Sequence, residues 1–92
     1  MLTLQMKIIT NTKKLISIIN SKNLNLSFIP TMGGLHKAHL SLIKEAKKKK
    51  LKTLVSIFVN PTQFNNIDDF RSYPRNINKD IIMLKKVNPD FL

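Results

Sequence analysis

The sequence predicts an α/β fold built on a parallel sheet. Apolar runs alternate with stretches whose apolar residues recur at three- and four-residue spacing, as strands alternating with amphipathic helices do. The run Thr53-Leu54-Val55-Ser56-Ile57-Phe58-Val59 is almost wholly apolar and β-branched, as suits a strand covered on both faces by helices. Finally, Gly33-Gly34 separates the apolar run 26–29 from a helical pattern, so a strand there feeds a helix N-terminus.

Taken in order, residues 6–10 predict a short first strand. Asn11 or Thr12 caps a helix over residues 13–21, with Leu15, Ile16 and Ile19 on its inner side. Residues 23–25 form a turn, and residues 24–29 a second strand that breaks at Pro30. The next helix starts at Leu35 or His36 and runs to Lys50, with Leu40, Leu42, Ile43 and Ala46 at helical spacing. Its closing lysines, 47–50, sit at the negative end of the helix dipole. A third strand over 53–59 ends at Asn60-Pro61, because proline cannot donate to a ladder. Residues 62–70 read as a polar loop. Tyr73-Pro74-Arg75 opens another helix, with Ile77, Ile81 and Leu84 as the buried stripe. Asn88-Pro89-Asp90 stops it, and Phe91-Leu92 begins a fourth strand.

Composition narrows the class. With 92 residues, the chain is at most one small domain, and a hydrophobic content of 42% supports a packed core rather than disorder. The lack of cysteine excludes disulfides and thiolate chemistry. No apolar run approaches the ~20 residues that span a membrane. Lys7, Lys13 and Lys14 interrupt the N-terminal apolar residues, unlike a signal peptide, so a cytoplasmic location is expected. The net charge of +11 comes from 14 lysines and two arginines against five acidic residues. Those lysines are scattered through every segment beside abundant isoleucine and asparagine, which reads as codon bias rather than a designed patch. Few aromatics stand among them, so no specific nucleic-acid binding is expected.

Chemistry concentrates between Phe28 and His39, which hold the only two glycines and both histidines. The first turn of a helix has unpaired N–H groups and a partial positive charge, which suit a phosphate. Glycine lets a ligand approach the backbone closely. His36 and His39, three apart, share a helix face and can reach one ligand. From spacing alone an ordinary turn is the commoner reading of the same residues, since Gly-Gly commonly ends a strand and His-x-x-His recurs by chance. No cysteine, and no carboxylate nearby in sequence, argues against a metal site built by the protein. In parallel sheets, ligands bind beyond the carboxyl ends of the strands. The loops 30–36 and 60–64 both leave such ends, so Gln63 either hydrogen-bonds a small substrate beside the nucleotide or is a solvated loop residue.

Four segments carry a more specific resemblance. Phe28-Ile29-Pro30-Thr31-Met32-Gly33-Gly34-Leu35-His36 is followed by Val55 through Phe64, with its Phe58-Val59-Asn60-Pro61-Thr62-Gln63-Phe64 run. Tyr73-Pro74-Arg75 with Asp80 and Leu84, and then Asp90-Phe91, complete the set. In this order and at these intervals the chain resembles the pantothenate synthetase (pantoate–β-alanine ligase) family from Leu26 onward. The resemblance implies a Rossmann-like nucleotidyltransferase fold of the His-x-Gly-His type, here its N-terminal half only, with residues 1–92 forming a partial nucleotide-binding domain. The implied reaction joins ATP and pantoate into pantoyl adenylate and pyrophosphate. The amine of β-alanine then displaces AMP to give pantothenate. Mg²⁺ is implied on the phosphates, with no protein ligand identified.

By position, Met32, Gly33, Gly34, Leu35, His36, Lys37, Ala38 and His39 correspond to the ATP-binding signature, and His39 to the catalytic proton donor. Gln63 corresponds to the residue that holds pantoate and β-alanine. The family has glycine where this chain has Ala38, whose methyl is expected to narrow the nucleotide slot. Family members are far longer and are homodimers. They add a phosphate-neutralising lysine, a second pantoate-binding glutamine, a Ser-Arg motif and a C-terminal lid domain. The 92 residues alone are therefore expected to be inactive, as a truncated product, fragment or remnant, unless a complementing chain supplies the rest. The alternatives are another nucleotidyltransferase of this fold, such as a cytidylyltransferase, or a non-catalytic basic remnant. The run from Phe58 to Phe64 argues against the cytidylyltransferase.

Overall fold

Two parallel strands and the helix that joins them form the centre of the molecule. The computed structural model describes residues 6–22 and 25–92; the expected turn at Asn23 and strand start at Leu24 lie outside the described residues. Strand β1 (Leu26–Thr31) pairs with β2 (Lys52–Ile57), in register from Leu26 opposite Lys52 to Thr31 opposite Ile57. Between them runs α2 (Lys37–Lys48), the crossover that a parallel pair requires. Helix α1 (Thr12–Lys22) precedes this unit, and α3 (Ile67–Ser72) and α4 (Ile77–Lys85) follow it. The expected α/β class with a parallel sheet is borne out.

The core follows from helical spacing. On α2, Ile43 and Ala46 are buried and Leu40 is half-buried, while Leu42 faces water. Ile43 packs with Ile29 and Val55 of the strands, and with Leu35, Leu84 and Val87. Full burial of a side chain such as Leu84 stabilises the fold by about 1.5–3 kcal/mol. Thr53 is also wholly buried. Its hydroxyl donates to Asp90 Oδ2 at 3.2 Å and accepts the Asp90 N–H at 2.9 Å, so burial leaves it satisfied.

Phe91 does begin a further strand. It lies between β2 and Lys7, donating its N–H to Thr53 O at 2.9 Å and accepting the Val55 N–H at 3.0 Å. Residues 6–10, expected to be a strand, make a single parallel bridge between Lys7 and Phe91 instead. They pair only with the short segment 90–92, which supports three backbone hydrogen bonds rather than a ladder.

Three further expectations need correction. Ile16 points outward on α1, while Leu15, Ile18 and Ile19 are half-buried. At about 100° per residue, Leu15 shares a face with the residues three and four further on, not with its neighbour. The polar stretch 62–70 is not all loop. It holds a 3-10 turn (Pro61–Gln63) and α3, whose N-terminus is capped by Asn66 Oδ1 accepting the Asp69 N–H at 2.8 Å. On α4 the buried positions are Asp80 and Leu84, with Val87 just beyond, whereas Ile77 is 49% exposed and Ile81 half-buried. Ile77 and Ile81 line an open apolar groove with Ile8, Leu15 and Phe28. The helix is turned so that a carboxylate, and not an isoleucine, takes the buried position beside the glycine turn. No helix among the described residues is long and apolar enough to cross a membrane.

Candidate active site

Strand β1 ends by placing Thr31 at the start of the glycine turn. The Thr31 hydroxyl donates to Ser56 O on β2 at 2.9 Å and accepts the Gly33 N–H at 3.2 Å, tying the turn to the sheet end. Gly33 and Gly34 then take φ values of 86° and 64°, the left-handed region that favours glycine. Asp80 receives the turn from the α4 side. Its Oδ2 accepts the Gly34 N–H at 3.2 Å and its Oδ1 the Leu35 N–H at 3.0 Å.

The histidines close the turn onto α2. His36 is the N-cap residue, with extended backbone, and its Nδ1 accepts the Ala38 N–H at 3.2 Å. His39, one turn on, returns its own Nδ1 to the His36 N–H at 3.1 Å. This reciprocal arrangement is a capping box made of two imidazoles in place of a hydroxyl and a carboxylate. The ring centroids lie 4.1 Å apart. With each Nδ1 accepting, the neutral ring carries its proton on Nε2 and is left with an N–H donor there. Burial lowers the pKa of His39 below the ordinary histidine value of 6.5, the neighbouring His36 lowers it further, and Asp80 opposes both. At neutral pH His39 is therefore an uncharged hydrogen-bond donor.

These groups line a cleft of about 660 Å³, formed by Met32, Gly33, Gly34, His36 and His39 on one side and Asn60, Gln63 and Tyr73 on the other. Asn60 Oδ1 accepts the Thr62 N–H at 3.0 Å, which fixes the 3-10 turn that carries Gln63. Tyr73 is steadied by edge-to-face contact with Phe64, centroids 5.5 Å apart. The apolar groove beside Ile77 is larger, about 720 Å³, but no titratable side chain among the described residues lines it, so the chemistry is assigned to the polar cleft.

The fold brings together most of the residues singled out from sequence and leaves three aside. Met32, Gly33, Gly34, His36, His39 and Gln63 share the cleft. Leu35 is buried in the core, and Lys37 and Ala38 are exposed outside the cleft wall. The expected narrowing of a nucleotide slot by the Ala38 methyl has no counterpart in this geometry.

Most of the backbone amides expected to cradle a phosphate have partners within the protein. The N–H groups of Gly33, Gly34, Leu35, His36 and Ala38 are all donated within the protein. The imidazole Nε2–H groups are donors that these bonds leave to an anion. Asp80 stands among the residues that carry the family resemblance, but sequence reasoning gave it no part in the site: no carboxylate is near the histidines in sequence, yet the fold delivers one. The signal was available, because Asp80, Leu84 and Val87 repeat at i, i+4 and i+7. A charged residue on a buried stripe has to be held by specific partners.

Mg²⁺ finds no ligand set in these residues. Among the described residues no group of three or more histidines and carboxylates gathers to hold a metal ion. Asp80, 5% exposed, already accepts two backbone donors.

Comparison with known proteins places this geometry in a family. A family model described as pantoate-beta-alanine ligase matches residues 5–92. The chain is 49% identical over 89 residues to pantothenate synthetase of Francisella tularensis subsp. novicida, covering 95% of this chain and 34% of that protein. It is similar in structure to the pantoate-beta-alanine ligase of Francisella tularensis complexed with beta-gamma ATP and beta-alanine, with a TM-score of 0.84, 48% identity, and coverage of 95% and 34%. The pantothenate synthetase of Thermus thermophilus gives a TM-score of 0.83 at 32% identity, covering 95% of this chain and 31% of that one. The chain thus spans about a third of the length of the relatives it matches. With that match running from residue 5 to residue 92, this chain belongs to the pantoate–β-alanine ligase family.

Proposed function

We propose that residues 1–92 form the front part of the nucleotide-binding domain of an ATP-dependent ligase that condenses pantoate with β-alanine. The observation that carries this reading is the single cleft lined by both imidazoles and by Gln63. The two groups arrive on separate loops, each leaving the carboxyl end of a parallel strand. That is where ligands of such sheets bind.

In this reading ATP lies along Met32 to His39, with its phosphates at His36 and His39. A carboxylate oxygen of pantoate attacks the α-phosphorus. The bond to the β-phosphate breaks and pyrophosphate leaves. Negative charge builds on the phosphate oxygens, and neutral Nε2–H donors held by the capping arrangement stabilise it without reorganising. His39 serves as catalytic donor. Gln63, an amide that is not a competing nucleophile, orients pantoate and then β-alanine. The β-alanine amine attacks the acyl carbonyl, the carbon–oxygen bond to AMP breaks, and a proton is lost to give pantothenate.

Relatives are much longer than this chain, so the test joins residues 1–92 to the remaining two thirds of the Francisella relative. That chimera should form pantothenate from ATP, pantoate and β-alanine. His39→Ala should lower kcat/KM by about 100-fold or more. A folded chimera that makes no pantothenate, or one indifferent to His39→Ala, would overturn the proposal.

A further inference from the structure

We propose that Asp80 is a positioning residue of the nucleotide site: its carboxylate grips the glycine turn by two backbone N–H groups and thereby sets where His36 and His39 stand. The inference rests on reading those histidines as phosphate donors. Three observations support it. Asp80 is 5% exposed on a helix face otherwise given to Leu84, and a buried carboxylate is retained only where its oxygens are satisfied. Both oxygens are satisfied by one short segment, Gly34 and Leu35, which lies 46 and 45 positions away in sequence. Gly33 is fitted to the same carboxylate: a Cβ built there would stand 3.1 Å from Asp80 Oδ2, at a φ already unfavourable to side chains.

The consequence for the site is geometric. The turn has two residues with positive φ in succession, and nothing in its own sequence holds both. Thr31 takes only the first amide. Asp80 takes the next two, and His36 follows immediately as the cap of α2. The direction in which the imidazoles enter the cleft is therefore fixed from α4, an element that carries no cleft-lining residue of its own. Asn cannot replace Asp here. Its single acceptor oxygen serves one amide, while its NH₂ meets the other donor head-on. Asp80 also adds a negative charge near His39, which raises that ring's pKa against the lowering by burial and His36.

Nuclear magnetic resonance on the 92-residue chain tests this directly. In the unmutated chain, scalar couplings across hydrogen bonds should link the Gly34 and Leu35 amide nitrogens to the Asp80 side-chain carbonyl carbon. In Asp80→Asn at least one coupling should vanish, and the His39 titration midpoint should move down. In the chimera, ATP should then bind at least about tenfold more weakly, as misplaced contact groups lose affinity and rate steeply. Gly33→Ala, which crowds the carboxylate from the other side, should weaken the same couplings. Should Asp80→Asn fail to fold, the couplings in the unmutated chain and the Gly33→Ala comparison still decide the matter. Absent couplings in the unmutated chain, or an Asp80→Asn variant with unmoved His36 and His39 signals, would overturn the proposal. Couplings and midpoint behaving as described, with no ATP binding by the chimera carrying the unmutated segment, would uphold the role of Asp80 in the turn and strike the nucleotide reading instead.

Discussion

Nδ1 of His39 accepts the backbone N–H of His36 at 3.1 Å, so one ring both closes the first turn of α2 and leaves its other nitrogen to the cleft. Fold and site therefore share an atom pair, and changes at either histidine should be read on both.

For His36 the two roles can be separated. His36→Ala removes the acceptor for the Ala38 N–H, and loss of an N-cap costs about 0.5–2 kcal/mol. In a domain of this size that lowers Tm by about 4–8 °C per kcal/mol. His36→Asn supplies a good cap without the Nε2 donor. It should melt near the parent temperature, yet bind ATP as weakly as the alanine variant in the chimera. Thermal melts beside ATP titration check this.

The depressed pKa of His39 makes stability depend on pH in a definite direction. Burial and then His36 push it below 6.5, with Asp80 opposing. Just under pH 6.5 the unfolded chain thus binds more protons than the folded one. The stability contribution is fully present above 6.5 and is lost as pH falls toward and through the folded value. The urea midpoint should be lower at about pH 5.5 than at about pH 7.5, and His39→Gln should shrink the difference. An equal difference in both proteins would assign the effect to other groups.

Gln63 and the histidines reach the cleft from different strand ends, so their substitutions should affect different substrates. In the chimera, Gln63→Ala should raise the pantoate Michaelis constant roughly tenfold, the cost of one lost hydrogen-bonding amide. The ATP constant should stay near its parent value. Equal rises would reduce Gln63 to a support for the loop.

Ala38 is exposed and stands off the cleft wall. Ala38→Gly should therefore leave the ATP Michaelis constant unchanged. It should still cost up to about 1 kcal/mol of stability, glycine being the poorer helix former. A clearly tightened ATP constant would place the methyl against the nucleotide.

The rotation of α4 is open to a paired test. Leu84→Ala should destabilise by about 2–5 kcal/mol, as truncation of a fully buried leucine does. Ile77→Ala, at a half-exposed position, should cost well under half as much. Comparable losses would restore the isoleucine stripe that the sequence predicts.

How far the sequence reached depended on which physical signal each element carries. Strand β2 was legible from Val55 and its β-branched neighbours, and the turn before α2 from Gly33-Gly34, because local backbone chemistry dictates both. The strand begun by Phe91 was legible from the punctuation of Asn88-Pro89 before it. Helix α3 was hidden because its only strong signal is the Asn66 cap, set in a run of polar residues without a stripe. Asp80 was hidden for a different reason. Its partners, Gly34 and Leu35, are backbone groups far away in sequence, and no local pattern names them. The identities of the cleft residues were readable; which amides remained free to meet a ligand was a tertiary matter.

The pairing of Lys7 with Phe91 has a consequence for the order of assembly. Closing a loop costs more entropy the longer the loop, and contacts distant in sequence form slowly. The pairing of β1 with β2 encloses only α2 and its flanking turns, whereas the Lys7–Phe91 bridge encloses nearly the whole described chain. By loop closure alone, the β1–α2–β2 unit, which contains both histidines, is expected to form first. Widening of the sheet by Phe91 and Lys7 is then expected late, so Phe91→Ala should speed unfolding far more than it slows folding in stopped-flow kinetics. Interactions formed late leave folding rates almost untouched and govern unfolding rates instead. The outer bridge should thus slow the unfolding of the sheet that carries the site while leaving its rate of formation almost unchanged.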